Sequence, residues 1–242
     1  MIHLADSKFK ITIGGDNILR RGVTEIEEIL VVIDVLRASS TIVTALANGI
    51  KEVIPVNREE TAFGLRKEGY ILAGEHNGVK LPDFDLGNSP VELLRYIEQS
   101  NIEKIALKTT NSTELLTKIE SALICSSLNL TAIKHRLEDK GKSANLLVVG
   151  SKHGITEDLA VAMALYSSLN DGLEINKAYL KECISRCNTA KYLGKIGYKK
   201  DVEFVSQIDK YDAVPVLREG GMCLAEVKKK PPTRFHEINT RR

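Results

Sequence analysis

Alternating blocks of apolar and polar residues predict a series of strands that each run into a polar loop and then a helix. The clearest block spans residues 29–56, ILVVIDVLRASSTIVTALANGIKEVIPV. Its first apolar run ends at Asp34, as a buried parallel strand does at its carboxyl end, and apolar residues at helical spacing follow. Gly49 stands where a left-handed C-terminal cap would end that helix, and 53–56 is a second β-branched strand. The block therefore predicts a β-loop-α-β unit, with Asp34 and Arg37 on the loop where open α/β sheets bind ligands.

The same patterns extend along the rest of the chain. Ser89, Pro90 and Glu92 give one helix an N-cap, a proline at its first position and the acid of a capping box. Residues 74–88 form the longest stretch without periodicity, which is typical of a functional loop. The predicted strands are 8–13, 71–73, 104–107, 123–125 and 146–149, the helices are 59–67, 90–98, 113–119, 128–137, 157–169, 176–193 and 200–208, and a hairpin occupies 214–227.

One motif recurs three times. IDVLRASST, LKTTNST and VGSKHGITED each join an apolar strand to a polar loop and a helix. The uneven spacing argues against a solenoid, but it allows an internal duplication of an α/β half-fold. We expect a single mixed-sheet α/β domain over residues 1–242, in which about 229–242 form a mobile basic tail.

Composition excludes several classes of function. The chain has 242 residues and a net charge of +2, which gives no general attraction to nucleic acid or membranes. No apolar run approaches the roughly 18 residues that span a bilayer, and the N-terminus lacks the apolar core of a signal peptide, so a cytoplasmic location is expected. The four cysteines form no CxxC pair, and we expect them to be reduced and structural.

Polar side chains at strand ends are the candidates for binding and chemistry. A carboxylate beside a guanidinium and a helix N-terminus, as at Asp34 and Arg37, could hold a metal ion and a phosphate. The KTTNST loop supplies neutral donors suited to an anion, although such residues also simply cap helices. The histidines at 76 and 153 are expected to face solvent. The other candidates are Glu75, Asn77, Asn88, Thr109, Thr110, Asn111, Ser112, Thr113 and Asp158.

Four of these segments together resemble a known family. IDVLRASSTIVTALANGIKEVIPV, AGEHNGVKLPDFDLGNSP, TTNST and GITED occur in this order, and the closing segment YKKDVEFVSQIDKYDAVPVL continues the match. They closely resemble the 2-phosphosulfolactate phosphatase family of coenzyme M biosynthesis over about residues 30–218. The resemblance implies a three-layer α/β/α fold with a mixed, mostly parallel sheet. It also implies a Mg²⁺-dependent phosphatase that hydrolyses the phosphate ester of a sulfonated hydroxy acid.

The resemblance also suggests roles for the candidate residues. Asp34, Glu75 and Asp158 would be Mg²⁺ ligands or water-positioning bases, since Mg²⁺ prefers a few hard oxygen ligands and keeps several waters. Arg37 and the loop 109–113 would neutralise phosphoryl oxygens, and Asn77 and Asn88 would orient the substrate. Sequence leaves open whether Asp34 is itself a nucleophile. The chain departs from the family pattern at His76, where Arg is usual, and at Ser112, where Gly is usual.

Competing interpretations can be weighed from the sequence. A haloacid-dehalogenase-type phosphatase needs a second Asp two residues after the first, and that position is Leu36. No P-loop motif occurs. The remaining alternatives are a non-catalytic module that binds a small phosphorylated or sulfonated ligand, and a phosphatase for another phosphorylated hydroxy acid. No nucleic-acid or membrane partner is expected, and a homodimer is the default for an enzyme of this size.

Overall fold

The computed structural model describes residues 8–14 and 28–225, and these form an α/β fold around one sheet. The predicted tail 229–242 lies outside the described residues. The ten strands are β1 Phe9–Ile13, β2 Ile29–Ile33, β3 Glu52–Pro55, β4 Ile71–His76, β5 Val79–Lys80, β6 Lys104–Lys108, β7 Ser121–Cys125, β8 Ala144–Val148, β9 Pro215–Arg218 and β10 Gly221–Leu224. None of the helices in the described ranges is long and apolar enough to cross a bilayer.

Nine α-helices are described, and we number them in chain order. They are α1 Ala38–Ala47, α2 Glu59–Arg66, α3 Pro90–Gln99, α4 Ser112–Leu116, α5 Leu130–Lys140, α6 Thr156–Asn170, α7 Lys177–Arg186, α8 Asn188–Lys195 and α9 Lys199–Val205. Most predicted elements are confirmed with shifted ends. The predicted helix 176–193 is wrong as one element, because Cys187 is extended (φ −64°, ψ 166°) and its Sγ accepts a hydrogen bond from the N–H of Ala190.

The sheet consists of two parallel blocks of opposite direction. Its strand order is β1-β8-β2-β7-β9-β10-β3-β6-β4-β5. Strands β1, β8, β2 and β7 are parallel to one another, as are β3, β6 and β4. The hairpin β9–β10 lies between the blocks and pairs antiparallel with β7 on one side and β3 on the other. This arrangement confirms the expected mixed, mostly parallel sheet, and the internal duplication stays a prediction.

Strand β2 shows why the sheet is covered on both faces. Val31 and Ile33 belong to a core cluster with helices α5 to α9, whereas Leu30 and Val32 belong to a second cluster with α1, α3 and α4. Val31, Val32 and Ile33 are at most 1% exposed, and full burial of such a side chain contributes about 1.5–3 kcal/mol. A strand buried on both faces reads as a continuous apolar run, which is the pattern seen in the sequence.

Local predictions can be compared with the structure in detail. Ser89 caps α3 by accepting the N–H of Glu92, as predicted, but the Glu92 carboxylate accepts the N–H of Gly87 instead of the Ser89 N–H that a capping box would use. Gly49 follows α1 with φ +97°, a conformation that an L side chain rarely adopts. The turn between β9 and β10 has positive φ at Glu219 and Gly220, as a two-residue hairpin of this twist requires.

Candidate active site

A cleft of about 610 Å³, including its open mouth, lies where the loops after β2, β4, β6 and β8 approach helix α8. Strands of both parallel blocks contribute to it. The candidates from the sequence that line the cleft are Asp34, Arg37, Glu75, Asn77, Asn88, Thr109, Thr110 and Asn111. Ser112, Thr113 and Asp158 do not line it but lie directly behind these residues. The guanidinium, hydroxyl and amide groups that line the cleft suit a small organic anion.

Asp34 is the carboxylate at the base of the cleft. It is 8% exposed, its Oδ2 accepts a hydrogen bond from the Ser112 hydroxyl, and its backbone N–H donates to Ser39 Oγ (3.0 Å). Burial, reinforced by the carboxylates of Glu157 and Glu75, raises the pKa of Asp34 to about 6, against the opposing hydrogen bond from Ser112. A carboxyl group in this range can exchange a proton near neutral pH, as general acid–base catalysis requires.

Arg37 has a carboxylate partner within the protein. Its Nη1 donates to Asp201 Oδ2 (2.8 Å), and both side chains are 2% exposed. Its Nη2 donates to the backbone oxygen of Gly78 (2.8 Å), and its guanidinium stacks over the Tyr198 ring at 4.1 Å. These contacts use two of its five N–H donors, so Arg37 borders the cleft with its charge largely compensated.

The Asp201 carboxylate in turn has several donors. Its Oδ1 accepts hydrogen bonds from Ser89 Oγ (2.6 Å) and from the N–H of Val91 (3.4 Å). Asp201 therefore joins the start of α3 to the β2 loop through Arg37. The sequence pattern does not single out Asp201, because an acid in the first turn of a helix is ordinarily explained by the helix dipole.

Glu75 joins two of the loops. Its Oε1 accepts the N–H of Thr110 (2.7 Å), and its Oε2 accepts the Thr110 hydroxyl (2.9 Å) and the N–H of Gly78. The β4–β5 turn, with positive φ at Asn77 and Gly78, is thereby tied to the loop after β6. Three donors on one carboxylate indicate a residue that fixes loop positions.

Asp158 connects the loops after β2 and β8, as Glu75 connects the loops after β4 and β6. Its Oδ1 accepts the N–H of Val35 (2.7 Å) and its Oδ2 accepts the N–H of Gly150 (2.9 Å). Burial, followed by the carboxylates of Asp34 and Glu157, raises the pKa of Asp158 well above its usual value, while the two backbone donors oppose this rise. Both oxygens face backbone donors, and the side chain lies behind the cleft.

The TTNST loop satisfies much of its own hydrogen bonding. Thr113 Oγ1 accepts the N–H of Thr109 (2.9 Å), and Thr109 Oγ1 accepts the N–H of Thr113 (3.2 Å). Asn111 Nδ2 donates to the backbone oxygen of Gly150 (3.3 Å). The reciprocal hydrogen bonds between Thr109 and Thr113 hold the start of α4 in place, and residues 109–111 line the cleft. Asn88 adds a buried amide whose Oδ1 has no hydrogen-bond partner within the described residues.

The three predicted Mg²⁺ ligands do not form a ready-made metal site. No group of three or more His, Cys, Asp or Glu side chains in 8–14 and 28–225 is arranged to hold a metal ion. Glu75 and Asp158 direct both carboxylate oxygens at hydrogen-bond donors, which leaves Asp34 as the acid at the cleft with room for another partner. The residues do not fit a three-carboxylate site, and the Mg²⁺ requirement stays a prediction.

Sequence reasoning missed one side of the cleft. It is lined by Ser151, Lys152 and His153 after β8 and by Thr189, Tyr192 and Leu193 on α8. The solvent-facing prediction is wrong for His153, whose ring stacks on Tyr192 with centroids 4.1 Å apart, and it is confirmed for His76, which is exposed. The third strand-loop-helix motif, VGSKHGITED, was the signal that could have identified Lys152 and His153.

The sequence is similar to that of known proteins over most of its length. The family model described as 2-phosphosulpholactate phosphatase matches residues 19–220. A protein of Thermotoga petrophila named probable 2-phosphosulfolactate phosphatase is 40% identical over 212 residues, covering 81% of this chain and 92% of that relative. A protein of Methanothermobacter thermautotrophicus named 2-phosphosulfolactate phosphatase is 29% identical over 208 residues, covering 81% and 89% respectively.

Proposed function

The chain belongs to the 2-phosphosulfolactate phosphatase family, and on that premise we propose that it is a phosphoric monoester hydrolase. Its substrate would be the phosphate ester of a small sulfonated hydroxy acid, 2-phosphosulfolactate, with sulfolactate and phosphate as products. One observation carries the proposal beyond family membership. A buried carboxyl group with a pKa of about 6, Asp34, faces a cleft of hydroxyl and amide donors.

We assign Asp34 the role of general base. A water oxygen attacks phosphorus, the bond from phosphorus to the ester oxygen breaks, Asp34 takes the proton of the water, and solvent protonates the departing alkoxide. Thr109 and Asn111 stabilise the phosphoryl oxygens with neutral donors, Thr110 holds their loop through its hydrogen bonds to Glu75, and the remaining N–H groups of Arg37 add a charged donor. Glu75 and Asp158 hold these loops in position.

The direct test measures phosphate release from 2-phosphosulfolactate and other phosphorylated hydroxy acids. The wild-type protein should turn over the sulfonated ester, and Asp34→Asn should lose at least about 100-fold in kcat. Asn keeps the shape of Asp and can still accept the Ser112 hydroxyl, so the fold should survive. Low melting temperature with normal turnover in this variant would favour a structural role for Asp34.

A second experiment separates the two roles of Asp34. If its carboxylate attacks phosphorus itself, an acyl phosphate forms on the protein. Acid quenching with ³²P-labelled ester during steady turnover should leave the protein unlabelled when Asp34 acts as a base. Covalent label lost on Asp34→Asn substitution would establish the nucleophile instead.

The non-catalytic alternative makes a different prediction. A binding module would be thermally stabilised by the phosphate ester or by sulfolactate without releasing phosphate. The raised pKa of Asp34 favours the enzyme, because a buried acid that repels neighbouring carboxylates costs stability without improving the binding of an anion.

The finer assignments extend the family resemblance. We propose Mg²⁺ dependence because a substrate with three acidic groups carries more charge than the cleft can neutralise, and no step above passes through the metal. A place in coenzyme M biosynthesis, a cytoplasmic location and a homodimer are further expectations of the same kind. Chelation and size-exclusion measurements test the first and the last.

A further inference from the structure

Lys152 differs electrostatically from the other cationic side chain described at the cleft. Its Nζ donates to Asn77 Oδ1 (2.7 Å), which is a neutral amide oxygen. None of the ion pairs within 8–14 and 28–225 includes Lys152, whereas Arg37 is paired with Asp201. The Lys152 side chain therefore brings an uncompensated positive charge to the cleft.

The partner of Lys152 is held in a fixed position. The backbone N–H of Asn77 donates to Thr110 Oγ1 (2.8 Å), and its carbonyl accepts the Tyr192 hydroxyl (2.7 Å). The Tyr192 ring stacks on His153, and Lys152 Nζ lies 6.0 Å from the centroid of the same ring. We call Asn77, Tyr192 and His153 the platform, since together they fix where the ammonium group lies.

The platform also brings distant parts of the fold together. A Cβ on Gly78 would lie 2.9 Å from Ile196 and 3.2 Å from Tyr192, so the turn packs closely on α8. His153 Nε2 is buried and has no hydrogen-bond partner among the described residues. A cation whose hydrogen-bond partner is a neutral amide, at the wall of a cleft, can bind an acidic group through a charge-assisted hydrogen bond.

We propose that Lys152, held by the platform, binds the second acidic group of the substrate, a sulfonate or a carboxylate. This inference rests on the proposed function, because the phosphoryl group is there assigned to Asp34 and residues 109–111. A phosphate ester with a further acid then contacts both sides of the cleft. The enzyme selects such esters over simple alkyl phosphates, because they alone gain the interaction with Lys152.

Three two-carbon esters separate the possible ligands of this subsite. Ethyl phosphate has no second acid, phosphoglycolate has a carboxylate, and 2-sulfoethyl phosphate has a sulfonate. Lys152→Met should lower kcat/KM for at least one acid-bearing ester by about 10–100-fold, the worth of a charge-assisted hydrogen bond, mainly through KM. For ethyl phosphate the loss should stay below about 3-fold. The ester that loses more identifies the preferred acid.

Matched variants define the controls. Lys191→Met removes an exposed lysine of α8 that does not line the cleft, and it should leave all three rates unchanged. Lys152→Arg keeps the charge and should recover most of the loss. Tyr192→Phe removes the hydroxyl that holds Asn77 but keeps the stacked ring, and it should show a smaller loss with the same dependence on the second acid.

Equal losses on ethyl phosphate and on the acid-bearing esters would overturn the subsite, and so would unchanged rates on all three. Failure of the proposed function looks different, since the wild-type protein would then release phosphate from none of the esters nor from 2-phosphosulfolactate. In that case calorimetry with sulfolactate still decides the subsite. Binding should be weakened by Lys152→Met and kept by Lys191→Met, and equal binding to all forms would overturn it.

Discussion

Removal of the Asp201 carboxylate should destabilise the protein far more than removal of a surface charge. In Asp201→Ala, Arg37 keeps its charge in a site that is 2% exposed but loses its partner at 2.8 Å. Ser89 Oγ loses its acceptor at the same time. Charge-assisted hydrogen bonds contribute about 1.5–3 kcal/mol each, and breaking a buried ion pair costs about 3–5 kcal/mol. We therefore expect the free energy of unfolding to fall by about 3–5 kcal/mol.

Equilibrium urea unfolding at pH 7 measures this change, with circular dichroism and fluorescence as independent probes. The matched control lies on the same helix. Glu203 pairs with Lys199 at 3.7 Å, and both side chains are more than 60% exposed. Glu203→Gln should change the free energy of unfolding by less than about 0.5 kcal/mol, as is usual for exposed pairs.

A double variant tests whether the cost comes from the uncompensated charge. Replacing both partners, as Arg37→Met with Asp201→Leu, removes the charge together with its partner and should recover much of the lost stability. A cost below about 1 kcal/mol for Asp201→Ala would refute the reasoning. The reasoning would also be refuted if the double variant lost as much free energy of unfolding as Arg37→Met and Asp201→Leu lose together as single variants.

Three further predictions concern Asp34 and the metal. Wild-type kcat/KM should rise with pH and level off above about 6, where Asp34 is ionised, and a flat profile between pH 5 and 7 would exclude it as the base. The pKa of Asp34 in the folded protein lies above the ordinary aspartate value of 3.8, so the folded state binds more protons between about pH 4 and 6 and loses stability as pH rises through this window. Asp34→Asn should therefore be more stable than wild type above pH 6, by roughly 1–3 kcal/mol, and the difference should vanish near pH 4 in thermal unfolding. Chelation should abolish phosphate release and added Mg²⁺ restore it, whereas full activity after exhaustive chelation and dialysis would contradict the metal requirement.

Membership of the family could be predicted from the sequence because long motifs survive as contiguous segments. The positions of Asp34, Glu75 and residues 109–111 on loops that follow apolar strands were also predictable. Their individual roles were not. Glu75 and Asp158 look like metal ligands in a sequence, but backbone donors from loops distant along the chain occupy their oxygens. Such contacts leave no local pattern.

The sequence by itself determined the local elements, because their causes are local. The apolar run of β2, the cap at Ser89 and the positive φ at Gly49 depend on neighbouring residues and on the backbone. Tertiary structure alone decided which strands pair and which distant residues meet. Arg37 donates a hydrogen bond to Asp201, which is 164 positions away in the sequence, and Lys152 donates one to Asn77, which is 75 positions away. Residues from both parallel blocks meet at one cleft because long-range strand pairing sets the order and direction of the strands. The periodicity of apolar residues encodes which faces are buried, but not which strands pair.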